Sequence, residues 1–370
     1  MIQSQLKLRL TKSQEGVVLG WLWNLTGVWN FAVRKIGQDS KDGVYYSGFD
    51  FQNLLANHSE RIGIPSHVLQ GTLKQAKTAW DRCFKKLGGK PKLKGNRRPL
   101  NSIPFPDPIK EPAVNKISLP VLGKVKFHKQ GIPKGKIKGA RMVKRASGWY
   151  LCLFIDAPRK PIERKAEGKV GIDPGFKDLL VLSTGEKIPH PREFEASEKR
   201  LGQAQRGHHK HLASRIHERI ANQKKDRNHK ISLRLVQDFI EIYFSKDNIG
   251  GIANRFGKSV GSSNHYQLRQ MLKYKSLTGG TKYVEVESKN STRTCSKCGS
   301  LTGPTGLAGL SVRHWECKAC GASHDRDINA SINTLNVGAG LALENTVMVC
   351  PELSNKDQRV RYGKQITKEA

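Results

Sequence analysis

Residues 295–329 read CSKCGSLTGPTGLAGLSVRHWECKACGASHDRDIN, a stretch that joins two cysteine pairs directly to an acidic motif. Cys295 and Cys298 form one C-x-x-C and Cys317 and Cys320 another, with eighteen residues between the pairs. That spacing is typical of a four-cysteine zinc ribbon, in which each pair sits on a tight knuckle that aims two thiolates at one ion. Gly299 and Gly321 follow the second cysteine of each pair, where such a turn favours positive φ. Seven residues past Cys320 stands Asp327, within the run Asp325-Arg326-Asp327-Ile328-Asn329-Ala330 that opens a helix-friendly stretch through 335. An acid at a helix start commonly serves as a cap, so Asp327 acquires a chemical reading only if other acids meet it.

The 65 Lys and Arg against 31 Asp and Glu give a net charge of +34. That balance argues against an ordinary enzyme of small neutral substrates and points to nucleic acid as the partner. A length of 370 residues allows two or three domains with cores of their own. The N-terminal MIQSQLKLRL lacks the apolar core of a secretory signal, and the most apolar stretch, 17–33, is broken by Gly20, Asn24, Thr26, Gly27 and Asn30. Neither an export signal nor a membrane span is expected. With four of seven cysteines committed to a metal and Cys83, Cys152 and Cys350 scattered, a reducing, cytoplasmic compartment fits.

Upstream of the ribbon, 239–244 and 283–286 read as apolar strands flanking a helix at 266–277. Further back, Val170-Gly171-Ile172-Asp173-Pro174-Gly175 ends a buried strand on an acid and a turn, and 179–182 supplies a second strand. A strand that delivers Asp to its C-terminal end is a frequent way to place a metal-binding carboxylate, although Asp-Pro-Gly is also a common turn. Residues 192–238 form a long polar helical region whose His208, His209, His211, His217 and His229 show no regular ligand spacing. It reads as a solvated or RNA-facing helix rather than a second metal site. From 169 onward the alternation of strands and helices argues for a mixed α/β sheet with the ribbon inserted before the last helix.

In the N-terminal half, 3–10 alternate as a short strand, and Thr11-Lys12-Ser13-Gln14 makes a capping box that opens a helix. Val18, Leu22, Leu25, Trp29 and Ala32 recur at helical spacing, and Trp21, Trp23, Trp29 and Phe31 are expected in the core rather than as base-stacking platforms. A second helix starts at Ser66, with Val68, Leu69, Leu73, Ala76, Trp80 and Phe84 along one face. The run 85–98, KKLGGKPKLKGNRR, cannot bury itself and reads as a phosphate-contacting segment rather than a plain linker. Strands at 116–127 and 141–157, the latter turned at 146–148, join the first strand in a small β-barrel that the helices interrupt.

Taken together, Gly171-Ile172-Asp173-Pro174-Gly175, the knuckle at 294–299, the knuckle at 317–320 and the run Asp325 to Ala330 resemble the TnpB family. These are transposon-encoded, RNA-guided nucleases, formerly called OrfB transposases and related to the compact type V CRISPR effectors. The resemblance covers about 1–336 and implies an α+β multidomain chain. It implies a β-barrel (wedge) domain over 1–10 and 99–165, and a helical recognition domain with its basic linker over 11–98. A RuvC-like nuclease domain of RNase H fold would occupy 166–290 and 323–337, the zinc ribbon 291–322 and a flexible tail 338–370. The implied partners are a guide RNA copied from the element's end and double-stranded target DNA. Base pairing would supply most of the specificity, in a prokaryotic cytoplasm at the nucleoid.

Family members hold Mg²⁺ with an acidic triad, clustered carboxylates that bind two ions roughly 4 Å apart. Asp173 matches its first position and Asp327 its third, while the second, a Glu at the end of the fourth strand, falls on Ser245. Serine is no anionic ligand. Glu287, closing the neighbouring strand, is expected to replace it from the side, with Asp247 as second choice and Glu241, about 13 Å back along the strand, third. The resemblance thus implies a Mg²⁺-dependent, RNA-guided DNA endonuclease of a mobile element with zinc on the four cysteines. The alternative is a nuclease-inactive, RNA-guided DNA-binding protein that represses where it sits.

Overall fold

Residues 1–340, except 97, 247, 248, 288, 307, 308 and 310, are described by a computed structural model. They divide into two units, one of Met1–Pro161 with Glu195–Asn222, the other of Ile162–Phe194 with the described residues from Gln223 onward.

The first unit begins with strand β1 (Ile2–Arg9) and helix α1 (Lys12–Asp39), and the expected capping box is in place. Gln14 N donates to Thr11 Oγ1 at 3.2 Å and Thr11 N donates to Gln14 Oε1 at 3.1 Å. Val18, Trp21, Leu22, Leu25, Val28, Ala32 and Val33 form the buried stripe. Trp23 is 70% exposed and Phe31 41%, which corrects their expected place in the core. At 100° per residue, the turn that buries 21, 25 and 28 swings 23 and 31 outward.

Short helices α2 (Gly48–Asn53) and α3 (Ser59–Ile62) lead to α4 (Ser66–Phe84), which buries Val68, Leu69, Leu73, Ala76 and Trp80. Phe84 is largely exposed and stacks on Trp80 at 5.3 Å. The basic run that follows is strapped along α1. Lys94 N donates to Asn30 Oδ1 at 2.8 Å, Asn30 Nδ2 to Lys94 O at 2.9 Å, and Trp29 Nε1 to Lys92 O at 3.1 Å.

Strands β2 (Ser102–Phe105), β3 (Lys116–Leu119), β4 (Gly123–Phe127), β5 (Lys136–Arg145) and β6 (Gly148–Asp156) join β1 in an antiparallel sheet. Its order is β2-β5-β6-β1-β4-β3, so among the described residues the expected barrel is open between β2 and β3. Leu6, Ile103, Phe105 and Leu151 of the sheet share one core with Leu25, Leu69 and Leu73 of the helices.

Next in the chain come β7 (Lys169–Pro174), β8 (Asp178–Leu182) and β9 (Lys187–Pro189), then α5 (Glu195–Arg206) and α6 (Lys210–Asp238). They are followed by β10 (Glu241–Lys246), α7 (Ile249–Ser263), α8 (His265–Gly279) and β11 (Lys282–Glu287). The chain then forms β12 (His314–Glu316), β13 (Ser323–Asp325) and α9 (Arg326–Ala339). Helix α5 and the first part of α6 group with the first unit. In the second unit β7, β10 and β11 run parallel and β8 antiparallel to β7, in the order β11-β10-β7-β8-β9, a mixed sheet as the alternation of strands and helices leads one to expect.

Val170, Ile172, Ile242 and Phe244 point to one face of this sheet, into a core with Leu235 and Val236 of α6 and Leu268 and Leu272 of α8. Alternate residues face α9, where backbone approach is close. A Cβ on Gly171 would lie 2.1 Å from Ser331 O, and one on Gly338 would lie 2.2 Å from the Tyr243 ring. Helix α9 ends at Ala339 with Gly340 as a left-handed cap at φ 73°. Residues 338 and 339 of the expected tail are therefore helical, and 341–370 lie outside the described residues. Among the described residues no helix is long and apolar enough to cross a membrane.

Candidate metal centre and nuclease face

The four cysteines converge. Their sulfurs all lie within 4.8 Å of one another, with Cys295 to Cys320 at 3.7 Å and Cys298 to Cys317 at 3.6 Å. A tetrahedral zinc with sulfur arms of about 2.3 Å has sulfur–sulfur edges of about 3.8 Å, whereas a disulfide holds its sulfurs about 2.0 Å apart. The residues fit the ion. Gly299 and Gly321 take φ of 79° and 68°, as the knuckle turns require.

The surroundings act unequally on the four thiols: burial pushes Cys295 up and, against the Ala322 amide, the neighbouring sulfurs push Cys320 up to about 12, while the Ser300 hydroxyl draws Cys298 down. Backbone amides of Lys297 and Cys298 face Cys295, and those of Ala319 and Cys320 face Cys317. His324 Nε2 lies 3.0 Å from Cys295 Sγ and Thr302 Oγ1 lies 3.2 Å from Cys317 Sγ. The Thr302 hydroxyl leads the effects that bring the Cys317 thiol down to about 6. Strand β13 presents His324 opposite Trp315 of β12, and the two rings lie 4.7 Å apart.

At the end of β13, Asp325 caps α9, accepting from Asp327 N at 3.0 Å and Ile328 N at 3.1 Å. Burial opposes its ionisation, but the Lys187 ammonium at 2.6 Å and those helix amides outweigh it and hold its carboxyl below the usual range. With Asp325 as the cap, the Asp327 carboxylate is turned to another use. Arg313 Nη1 donates to its two oxygens at 2.9 and 3.3 Å. Nothing in the sequence pattern marks Arg313, which lies in the irregular stretch between the knuckles.

Asp173 follows Gly171 by two residues on β7, so period-two alternation gives it the sheet face that α9 covers. The register pairs Phe244 with Ile172, and one further step sets Ser245 beside Asp173. Ser245 is 1% exposed, a neutral hydroxyl where the resemblance leads one to expect a carboxylate.

Glu287 does not reach this face. Its partner on β10 is Lys246, while Ser245 pairs with Val286, so alternation sends Glu287 to the α8 side, where it is exposed. Among the described residues, the four cysteines are the one group of three or more His, Cys, Asp or Glu at metal-ligand spacing. That register gives Glu287 the opposite parity to Ser245, so the expected replacement stands on the other face of the sheet. Asp247, the second choice, lies outside the described residues. Glu241 shares the parity of Ser245 but starts β10 opposite Lys169. The Tyr243 hydroxyl, Lys169 at 3.0 Å and Lys282 at 3.7 Å hold its carboxyl below the usual range.

Residues 153–255 match the family described as "Probable transposase", and residues 265–334 match "Cas12f1-like, TNB domain". A protein of Streptomyces pristinaespiralis named "Putative RNA-guided DNA endonuclease" is 32% identical over 213 residues, 54% of this chain and 51% of that protein. The Escherichia coli protein "Putative RNA-guided DNA endonuclease InsQ" is 24% identical over 319 residues, 78% of this chain and 77% of that one. A TnpB-like protein of Acanthamoeba polyphaga mimivirus is 30% identical over 217 residues, 51% and 41% of the two chains. The chain thus spans about half the length of the Streptomyces relative.

Proposed function

Because this chain belongs to the TnpB family, we propose that it is an RNA-guided DNA endonuclease of a mobile element. Its partners on this reading are a guide RNA from the element's end and double-stranded target DNA, met in the cytoplasm at the nucleoid. The net charge of +34 supports the RNA-laden state, since phosphates neutralised by Lys and Arg supply most of such binding.

The observation that carries the nuclease reading is the seating of α9 on β7 at Gly171, with Asp173 and Asp327 belonging to the two elements it brings together. Two carboxylates suit Mg²⁺, which keeps several waters and completes its shell with substrate phosphate oxygens. When bound, Mg²⁺ would polarise the scissile phosphate and lower the pKa of its water. Asp173 and Asp327 would hold it, and Arg313 would orient the Asp327 carboxylate. Cys295, Cys298, Cys317 and Cys320 would hold zinc as a structural ion.

The test is cleavage of a plasmid target by the protein with its RNA in Mg²⁺, beside an Asp173→Ala control. Cutting that disappears in the control is expected. Target binding without cutting would replace this reading with that of a nuclease-inactive DNA-binding protein.

A further inference from the structure

The zinc ribbon is joined to the helix that carries Asp327 through two buried asparagines. Asn329 and Asn333 are 1% and 7% exposed and stand one helical turn apart on the same face of α9. Asn329 Nδ2 donates to Ser291 O at 3.3 Å and to Thr294 O at 2.8 Å. Asn333 Nδ2 donates to the same two carbonyls, both at 2.7 Å. Those carbonyls belong to the turn that delivers Cys295. Thr294 N and Thr294 Oγ1 both donate to Asn290 O within it.

The first knuckle supplies the remaining contact. Its Lys297 and Cys298 amides face the Cys295 sulfur, and the one before them, Ser296 N, donates instead to Asn329 Oδ1 at 2.9 Å. Asn329 therefore spends its oxygen on the knuckle and its nitrogen on the turn before it, an arrangement that fixes which way the amide points. Asp327 lies two residues upstream on the same helix.

We propose that Asn329 and Asn333 are positioning residues that make zinc binding at the ribbon set the place of Asp327. The inference rests on the metal-centre and nuclease readings above. With zinc bound, the two knuckles form one rigid body tied at four thiolates, and the two asparagines extend that rigidity into the first turns of α9. With zinc removed, the knuckle loses the ion that closes it. The carbonyls and the amide that the asparagines grip then move, and the start of α9 loses that support while keeping those of Arg313 on Asp327 and Lys187 on Asp325.

Hydrogen exchange followed by mass spectrometry on the full chain tests this without reference to cleavage. In the wild type, stripping zinc with a chelator should speed amide exchange across 328–335 by about tenfold, while exchange across β8 stays unchanged. In the Asn329→Ala/Asn333→Ala variant that stretch should exchange fast even with zinc bound, and should no longer respond to zinc. Asn333→Ala alone, which leaves the Asn329 contacts intact, should fall between. It should raise the Mg²⁺ needed for half-maximal cleavage without changing the KM for target.

Zinc bound at one per chain with exchange across 328–335 indifferent to its removal would overturn the inference alone. A chain that binds no zinc would overturn the metal centre and the inference with it. A chain that binds target but does not cut would fail the nuclease reading, and the exchange experiment would still decide the role of the asparagines.

Discussion

Gly171→Ala puts the seating of the nuclease face to a direct trial. The added Cβ would lie 2.1 Å from Ser331 O, 2.5 Å from Leu335 N and 2.8 Å from Leu335 Cβ, against ordinary contact from 3.4 Å. Two of those three atoms are backbone, so no rotamer change relieves the overlap, and α9 must retreat by about 1.3 Å, the difference between 3.4 and 2.1. Overpacking of this kind costs about 3 kcal/mol when the neighbours are rigid. For a unit of this size that is a fall of about 6–12 °C in melting temperature. Displacing Asp327 with its helix by about an ångström should slow single-turnover cleavage roughly a hundredfold in the molecules that remain folded. Calorimetry and a cleavage time course at saturating Mg²⁺ read the two effects separately. Gly27→Ala is the control, since nothing lies within 4 Å of its Cβ on α1; there alanine should stabilise by about 0.5–1 kcal/mol. A Gly171→Ala protein that melts and cuts like the wild type would refute the close approach of α9 to β7.

Replacing Cys317 with Ser should lower the zinc content below one ion per chain by elemental analysis, and an unchanged content would count against the four-thiolate centre. Glu287→Gln should leave cleavage within about twofold of wild type, because its strand position faces away from Asp173; loss of cutting would reinstate it as a ligand. Ser245→Glu should lower the Mg²⁺ needed for half-maximal cleavage on the order of tenfold, since a third carboxylate beside a divalent cation is worth more than about 1.4 kcal/mol. A higher Mg²⁺ requirement would show that this position does not face the ion. Lys275 is buried with its ammonium on His229 O at 2.6 Å and Ser232 Oγ at 2.8 Å, and burial brings it from 10.5 down to about 8. Between those values the unfolded chain holds more protons, so stability rises with pH through that window. The melting-temperature advantage of Lys275→Met should accordingly shrink from pH 8 to pH 10, and an advantage independent of pH over that range would refute the lowering of Lys275 by burial.

What could be read in advance was local. The capping box at Thr11, the two knuckles and the strand ending on Asp173 each declare themselves within a few residues, because caps, turns and thiolate pairs are set by chemistry between near neighbours. Helix α7 is hidden by Gly250, Gly251, Gly257 and Gly261, residues that ordinarily mark turns. Strands β12 and β13, three residues each, are too short to show alternation. Trp23 and Phe31 look like core by hydrophobicity, and only their angular position on α1 exposes them.

The roles of Ser245 and Glu287 turn on a longer-range property, the register of one strand against the next. A relocated carboxylate must share the parity of Asp173, because a shift of one residue along a strand exchanges faces. Glu287 closes β11 at about the height where Ser245 nears the end of β10, so position along the chain makes it a plausible substitute. Its pairing with Lys246 rather than Ser245 gives it the other parity, which is why Glu287→Gln is expected to cut. Glu241 has the right parity and the wrong height: four residues separate it from Ser245, about 13 Å of strand. On the proposed nuclease reading, Asp173, Asp327 and the Arg313 guanidinium paired with Asp327 sum to a formal charge of −1, where an intact triad with the same arginine would sum to −2. A face with one negative charge fewer holds a divalent cation less tightly on its own and depends more on the phosphates of bound nucleic acid to complete the cation's shell. Magnesium affinity that rises when target is loaded follows from that electrostatic balance, and it would confine cutting to the complex in which guide and target are paired.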